Sequence, residues 1–268
     1  MNSVITFRHT VAHFTAHDVR DMEIKESSGL SQVYIHPACA YAFQYFYNRR
    51  KAHDIFLLYG KLRRYSATTM IEVGDVNFIY NVRDHIAMLE VYVPNGTIVW
   101  WKHTCLSEFN PPALCYFLEI NLYKLLYDIT KALICMDRAG LLHRDCTIDN
   151  IGIRRGRFIL FDFDAMVTME SYIHDGGMTV MDGNEIDVDR FIRSVNFRTN
   201  DTLRSQIPSV SDSDTFFKKL IGMYQKRYMP GAKLSDVVIT LESLPIKWQA
   251  EHEDQEQTLP HSAPLVTA

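Results

Sequence analysis

The chain has 268 residues, of which 47% are hydrophobic and 22% are charged, and its formal net charge at pH 7 is −4. This length and hydrophobic content are enough to bury a sizeable core, as one domain or as two lobes. The charge balance shows no basic excess, so it gives no indication of binding to nucleic acid or to an acidic membrane. No window of 18 apolar residues predicts a membrane span either.

The cysteines and the N-terminus bear on the compartment. The five cysteines form no C-x-x-C pair; they are Cys39, Cys105, Cys115, Cys135 and Cys146. An odd and unpatterned set favours a reducing compartment and argues against a disulfide framework or a structural zinc site. Residues 1–19 have no signal-peptide core, because charged and polar residues interrupt the apolar ones. We therefore expect a cytoplasmic or nuclear protein that is neither secreted nor membrane-spanning.

Residues 1–20 are interpreted as an N-terminal extension. His9, His13 and His17 recur at helical spacing and would line one helix face. Three histidines on one face are able to bind a metal, but no carboxylate or cysteine completes a site at ligand spacing. An ordinary polar helix face is the favoured interpretation.

The next segment, from Met22 to Phe46, predicts strands. Residues 33–35 and 41–43 are apolar and aromatic runs separated by a turn at Pro37. A helical stretch follows at about 48–65, and two further strands are predicted at 68–82 and 85–93.

A long helix is predicted after Pro111 and Pro112, with Gly140 as its stop signal. Its apolar residues keep helical spacing and are predicted to face the core. They are Leu118, Leu122, Leu125, Leu126, Ile129, Leu133 and Ile134.

The most informative stretch is 141–164, which reads LLHRDCTIDNIGIRRGRFILFDFD. Two short apolar runs around Gly156 predict a β-hairpin, which would bring Asn150 and Asp162 close together. Asp145 is suited to accept or orient a substrate hydroxyl, and the Asn150 and Asp162 oxygens are suited to hold magnesium against nucleotide phosphates. The alternative is a buried polar turn without catalytic meaning.

His143, Arg144 and Asp145, with Asn150 at its offset and Asp162 at a strand end, resemble the catalytic loop and metal-binding Asp of the protein kinase superfamily. The resemblance is densest over 141–195. It implies an α+β fold with two lobes: a small, antiparallel β-rich N-lobe (21–93) and a mainly helical C-lobe (94–248), followed by a disordered tail (249–268). It also implies ATP and Mg²⁺ as cofactors.

Roles for individual residues follow from the resemblance. Asp145 would be the catalytic base, within a motif that also contains His143 and Arg144, and Asn150 and Asp162 would be the metal ligands. Nucleotide contacts would come from residues that match the first strands and the hinge: Val33, Gln44, Val91 and Val93.

The chain departs from the kinase pattern on the side that binds phosphate. The positions at which the kinase phosphate loop has glycine are occupied here by Glu26, Ser28 and Ser31. Gln44 occupies the position expected for the phosphate-binding lysine. The stretch 48–65 offers Asp54 but no Glu for an ion pair. Either another cation substitutes or nucleotide binding is weak; the candidate cations are Lys25, Lys51 and Lys61.

Residues after the second motif indicate the substrate class. Asp164, in place of the usual glycine, is similar to small-molecule kinases of the aminoglycoside and choline type, and the Ala-Pro-Glu motif is missing. Arg144 favours protein kinases, in which this arginine can pair with a phosphorylated activation loop. Possible acceptors for such a phosphate are Thr168, Ser171, Tyr172 and Thr179.

A helix is predicted over 187–195, in which Asp187 either holds the backbone of the catalytic loop or simply forms an acidic first turn. Two more amphipathic helices are predicted at 214–228 and 234–243.

The function expected from these patterns is transfer of the ATP γ-phosphate to a protein Ser or Thr hydroxyl, with ATP and a protein substrate as partners. Thr147 stands where Ser/Thr kinases usually place a lysine. Two rival interpretations remain: a pseudokinase that acts as a binding or scaffold module, and a small-molecule kinase.

Overall fold

The computed structural model describes residues 2–7, 10–15, 23–27, 29–35, 41–48, 50–55, 57–58, 61–62, 97–101, 103–154, 156–174, 185–198 and 213–247. The predicted strands at 68–82 and 85–93 and the predicted tail at 249–268 therefore lie outside the described residues. So do Val91 and Val93, the expected hinge contacts.

The N-terminal residues form a hairpin in place of the predicted helix. Strands β1 (Asn2–Phe7) and β2 (Thr10–Thr15) pair antiparallel, with Val4 opposite His13. The prediction that His13 lies on a helix face is therefore wrong, because His13 lies within β2. The residues around it (TVAHFT) are rich in β-branched and aromatic side chains, which favour strands.

Four strands form an antiparallel sheet in the order β3-β4-β5-β6. They are β3 (Glu23–Ser27), β4 (Ser31–Ile35), β5 (Tyr41–Phe46) and β6 (Thr97–Trp101). The strands predicted at 33–35 and 41–43 are confirmed within β4 and β5. Residues 97–101, which the sequence assigned to the start of the C-lobe, pair with β5 in this sheet.

After β5 the chain is helical at residues 50–55, 57–58 and 61–62. The Asn48 side-chain oxygen accepts hydrogen bonds from the backbone N–H groups of Arg50 (3.0 Å) and Lys51 (3.4 Å). This is the way an asparagine caps the first turn of a helix. The helix predicted over about 48–65 is thus present where the chain is described.

The long helix α1 (Pro111–Arg138) runs through the core. Its side-chain cap is Asn110, whose oxygen accepts from the Ala113 N–H at 3.0 Å, and the two prolines occupy its first turn, where no N–H partner is needed. The predicted core residues Leu118, Leu125 and Leu133 are fully buried. Gly140, with a φ of +64°, follows the helix end in the left-handed conformation that glycine adopts most easily.

Short strands on both sides of α1 in the sequence form two small sheets. Strand β7 (Thr104–Cys105) and the hairpin β9 (Ile151–Arg154) and β10 (Arg157–Leu160) form one sheet, in the order β10-β9-β7. Strand β8 (Leu141–Leu142) pairs with β11 (Val167–Thr168). The predicted hairpin is confirmed, and Gly156 has the positive φ (+69°) that its turn requires.

Four further helices complete the described chain: α2 (Met169–His174), α3 (Glu185–Arg198), α4 (Ser213–Tyr228) and α5 (Leu234–Ser243). The three helices predicted at 187–195, 214–228 and 234–243 correspond to α3, α4 and α5. Buried residues from α1, α3, α4, α5 and the hairpin belong to one hydrophobic cluster. The protein is thus a mixed α+β structure with antiparallel sheets. Across the described ranges, no helix combines the length and apolar character that a membrane span requires.

Candidate active site

The loop between β8 and β9 brings Asp145 and Asn150 into direct contact. The Asn150 amide nitrogen donates to the Asp145 carboxylate at 2.8 Å and to the Asp145 backbone carbonyl at 2.9 Å. Residues Ile148–Asn150 form one turn of 3₁₀ helix, which folds the chain back and makes this contact between residues five positions apart. The hydrogen bonds fix the orientation of both side chains.

His143 lies beneath this loop and is fully buried. Its Nε2 is 2.9 Å from the Phe161 carbonyl oxygen, which can only accept, so Nε2 carries the proton. Its Nδ1 then accepts the Asp145 backbone N–H at 3.3 Å. Burial lowers the pKa of His143, which agrees with a neutral ring. His143 therefore positions Asp145 and Phe161 and does not face a substrate.

Asp187 holds the backbone of the same loop from α3. Its two carboxylate oxygens accept the N–H groups of His143 (2.7 Å) and Arg144 (2.8 Å). Burial raises the pKa of Asp187, and the hydrogen bonds from these two N–H groups act against the increase. Of the two interpretations left open for Asp187, the geometry favours a positioning role.

The backbone of Arg144 has a φ of +69°, a conformation that costs energy for a residue other than glycine. Such a conformation persists only where the surroundings impose it, and the Asp187 hydrogen bond is one such constraint.

Two residues of α3 that sequence reasoning missed also support the loop. The Ser194 hydroxyl accepts the Ile148 N–H at 3.0 Å and donates to the Phe191 carbonyl at 2.8 Å. The Arg198 guanidinium pairs with the Asp149 carboxylate at 2.5 Å. These two residues and Asp187 hold the loop between β8 and β9 along the length of one helix. The sequence carries no local signal for them, because a serine and an arginine on a helix usually face solvent.

The hairpin connects Asn150 to Asp162. The Phe161 N–H donates to the Asn150 carbonyl at 3.0 Å, so the residue before Asp162 is fixed to the residue that ends the loop. The ring of Phe161 stacks on His103, with 4.1 Å between the ring centroids. Asp162 has a left-handed backbone, with φ +61° and ψ +68°. This conformation turns the chain sharply between β10 and the 3₁₀ turn Phe163–Ala165.

Asp164 belongs to the same electrostatic cluster. Burial raises the pKa of its carboxyl group, the positive charge of Lys51 opposes this increase, and the negative charge of Asp145 adds to it. Asp164 lies in the 3₁₀ turn Phe163–Ala165 that follows β10. Phe163 anchors that turn, because it is fully buried and its ring lies 5.0 Å from the His143 ring.

Arg144 projects toward α2. It is exposed, and its guanidinium lies over the Tyr172 ring at 5.5 Å from the centroid. This is a cation–π geometry. Arg144 thus contacts the segment in which the sequence suggested phosphate acceptors.

Two of the predicted nucleotide contacts are neighbours in the four-stranded sheet, and we call this part of the sheet the strand side. Val33 on β4 and Gln44 on β5 are opposite one another in the sheet. Gln44 is buried, and its amide nitrogen donates to the Ser31 hydroxyl at 3.0 Å. The position expected to hold a lysine therefore contains a neutral amide that is hydrogen-bonded within the sheet.

The loop side of the candidate site, which we define as Asp145, Asn150 and Asp162, has residues suited to magnesium. The described residues hold no group of three or more His, Cys, Asp or Glu side chains around one metal position. Mg²⁺ does not need one, because it commonly uses one or two carboxylates with water and substrate phosphates. Both hydrogen bonds of the Asn150 side chain come from its nitrogen, which leaves the oxygen, a hard ligand, as the end suited to a cation. Asp162 adds a carboxylate. It directly follows Phe161, whose N–H donates a hydrogen bond to the Asn150 carbonyl.

No model of a known protein family matches this sequence, and no curated protein matches it. The resemblance to protein kinases therefore rests on the residues and contacts described above.

Proposed function

We propose that the protein is a magnesium-dependent phosphotransferase of the protein kinase type, which moves the ATP γ-phosphate to a Ser or Thr hydroxyl of a protein. The observation that carries this proposal is the contact between Asp145 and Asn150, fixed by the tie from Asn150 to Phe161. This arrangement joins a carboxylate, an amide oxygen and the Asp162 backbone in one small region. The proposal includes a β-rich N-lobe and a helical C-lobe around the nucleotide.

Each side chain has a distinct task in this mechanism. Asp145 accepts or orients the proton of the attacking hydroxyl, and its orientation is held by the Asn150 amide and, through its own N–H, by His143. Asn150 and Asp162 would hold Mg²⁺, which would neutralise charge on the nucleotide phosphates. Of the three residues predicted to be catalytic, Asp145 alone is proposed to meet the substrate; His143 and Arg144 are positioning residues.

The test is phosphate transfer from labelled ATP by the purified full chain, with Asp145→Ala compared to Asp149→Ala. The two aspartates lie on the same loop, but Asp149 pairs with Arg198 and not with Asn150. Loss of a base in proton transfer typically lowers the rate by about 10²- to 10⁴-fold. We expect this loss for Asp145→Ala and a change within about threefold for Asp149→Ala, whose ion pair is partly exposed and weak. No transfer by the wild-type chain, or equal transfer by both variants, would refute the proposal.

A second candidate is a pseudokinase that binds partners without turnover. It is favoured by the neutral hydrogen bond between Gln44 and Ser31 at the place where a phosphate-binding lysine is expected. Melting temperatures with and without ATP and Mg²⁺ separate the two functions, because a ligand that binds the native state raises its melting point. Stabilisation by MgATP together with Asp145-dependent transfer would exclude the pseudokinase.

A third candidate, a small-molecule kinase, is favoured by Asp164, which is acidic and lies within electrostatic reach of Asp145. A cationic small acceptor would bind such a carboxylate. Transfer to amino alcohols or aminoglycosides but not to protein Ser or Thr would support this alternative over the first.

A further inference from the structure

Asp162 has a backbone conformation that depends on its surroundings. Its φ of +61° and ψ of +68° lie in the left-handed region, which costs energy for a residue with a side chain. Such a conformation persists only where neighbouring contacts impose it, and it is frequent at functional sites. The residues on either side of Asp162 therefore decide how firmly it is placed.

Both neighbours of Asp162 are phenylalanines, and each ring packs against a histidine. Phe163 is fully buried, and its ring centroid lies 5.0 Å from that of His143. The Phe161 ring centroid lies 4.1 Å from that of His103, and the two rings are tilted by 44°. His143 belongs to the catalytic loop, whereas His103 comes immediately before β7.

A glycine makes room for the His103 ring. Gly152 lies on β9, the middle strand of its sheet, opposite Cys105 on one side and Ile159 on the other. A Cβ at Gly152 would collide with the His103 Cδ2 atom and would come within 2.9 Å of its Cγ atom. Glycine inside a strand weakens it and often marks a point of close approach. Here the approaching group is the His103 ring, which packs directly on the Gly152 backbone.

Phe161 connects His103 to both proposed metal ligands. Its ring contacts His103, its N–H donates to the Asn150 carbonyl at 3.0 Å, and Asp162 is the next residue along the chain. The His103 ring thus contacts β9 at Gly152 and the end of β10 at Phe161. Loss of this ring would loosen Phe161, and with it the side of Asp162 that the burial of Phe163 does not hold.

We propose that His103 is a positioning residue of the metal site: its ring, packed on the Gly152 backbone, holds Phe161 and thereby places the Asp162 carboxylate for Mg²⁺. This inference rests on the proposed function, since it concerns a ligand of the same metal ion. It also couples two positions far apart in sequence, because the ring packs here only where Gly152 lacks a side chain.

The first experiment measures the contribution of a metal ion to nucleotide binding. Calorimetry on the purified full chain gives the dissociation constant of a non-hydrolysable ATP analogue with and without Mn²⁺, which prefers the same oxygen ligands as Mg²⁺. The ratio of the two constants is the contribution of the metal. Loss of a residue that orients a metal ligand typically lowers metal affinity by about tenfold to a hundredfold.

For His103→Ala we expect this ratio to fall by about tenfold, while the constant without metal stays within about twofold. A general loss of structure would instead weaken both constants. His103→Phe keeps an aromatic ring and is expected to retain the ratio within about threefold. The matched control is Tyr228→Ala, which removes a partly exposed ring packed 5.0 Å from Tyr224 on α4 and should change neither constant.

The second experiment tests the packing of His103 on Gly152 without any nucleotide. Gly152→Ala places a methyl group against the ring, and overpacking destabilises, so we expect the unfolding equilibrium constant in urea to rise by about tenfold. In the His103→Ala background the same substitution should change that constant by less than about threefold, because the ring is gone. Gly152→Ala also displaces the ring without removing it, so it should lower the metal ratio as well. It replaces His103→Ala in the first experiment if that variant does not fold.

The outcomes separate this inference from the proposed function. Equal binding of the analogue by the wild-type chain with and without Mn²⁺ would overturn both. A wild-type metal contribution that His103→Ala leaves unchanged, or an equal loss in both constants, would overturn the positioning role alone. So would equal destabilisation by Gly152→Ala in the presence and in the absence of the His103 ring.

Discussion

The loop side and the strand side of the candidate site differ in how their polar groups are held. On the loop side, the described contacts of Asp145, Asn150 and His143 connect charged and polar groups across three elements. On the strand side, Gln44 and Ser31 form a neutral hydrogen bond within one sheet. The loop side thus concentrates carboxylate and imidazole groups, whereas the strand side holds an uncharged amide at the position where the resemblance to kinases predicts a lysine.

This difference suggests which parts of a phosphate-transfer site are replaceable. A base and its metal ligands act at fixed distances from reacting atoms, so their placement allows little freedom. A cation for the nucleotide phosphates acts over several ångströms and can come from any element that faces the site. A glutamine at the strand position is compatible with this distinction.

The largest expected effect concerns the hydrogen bonds that fix the loop side. Asp187→Ala leaves two buried N–H groups without this acceptor, at about 1–3 kcal/mol each. We therefore expect the free energy of unfolding in urea to fall by about 2–5 kcal/mol. The control is Asp189→Ala on the same helix, which removes only an exposed ion pair with Arg193 and should cost less than about 1 kcal/mol. Equal losses in the two variants would mean that Asp187 does not hold the loop.

Local patterns in the sequence predicted much of the loop side. The hairpin at 151–160 follows from two apolar runs around Gly156, and α1 follows from its apolar periodicity and its flanking prolines and glycine. The offset between Asp145 and Asn150 predicted that they act together, and they are in contact. These features are encoded within short stretches, where spacing alone determines which side chains meet.

Long-range features were not predictable in the same way. Ser194 and Arg198 meet the catalytic loop across more than forty residues of chain, at separations of 46 and 49 positions. The β1–β2 hairpin was missed because histidines at helical spacing were weighed above β-branched neighbours.

The second prediction uses pH to test the neutral histidine of the loop side. Burial lowers the pKa of His143 below the unfolded value of about 6.5, so the unfolded chain binds a proton that the folded chain does not. The contribution of His143 to the free energy of unfolding is therefore complete above about pH 6.5. It decreases as the pH falls toward the folded pKa, by at most about 1.4 kcal/mol per pH unit.

Urea unfolding at pH 7.5 and at pH 5.5 checks this expectation. His143→Gln should reduce the difference in unfolding free energy between the two pH values by about 1 kcal/mol. An identical pH dependence in wild type and His143→Gln would show that the ring is not held neutral by burial.

The smallest effect is expected on the strand side, from the hydrogen bond between Gln44 and Ser31. A double-mutant cycle with Gln44→Met and Ser31→Ala isolates this pair from the other contacts of either residue. Because both groups are neutral, we expect a coupling of about 0.5–1.5 kcal/mol in urea unfolding. A coupling near zero would mean that the Gln44 amide is not committed to Ser31. The contrast between the two sides would then rest on the hydrogen bonds of the loop side alone.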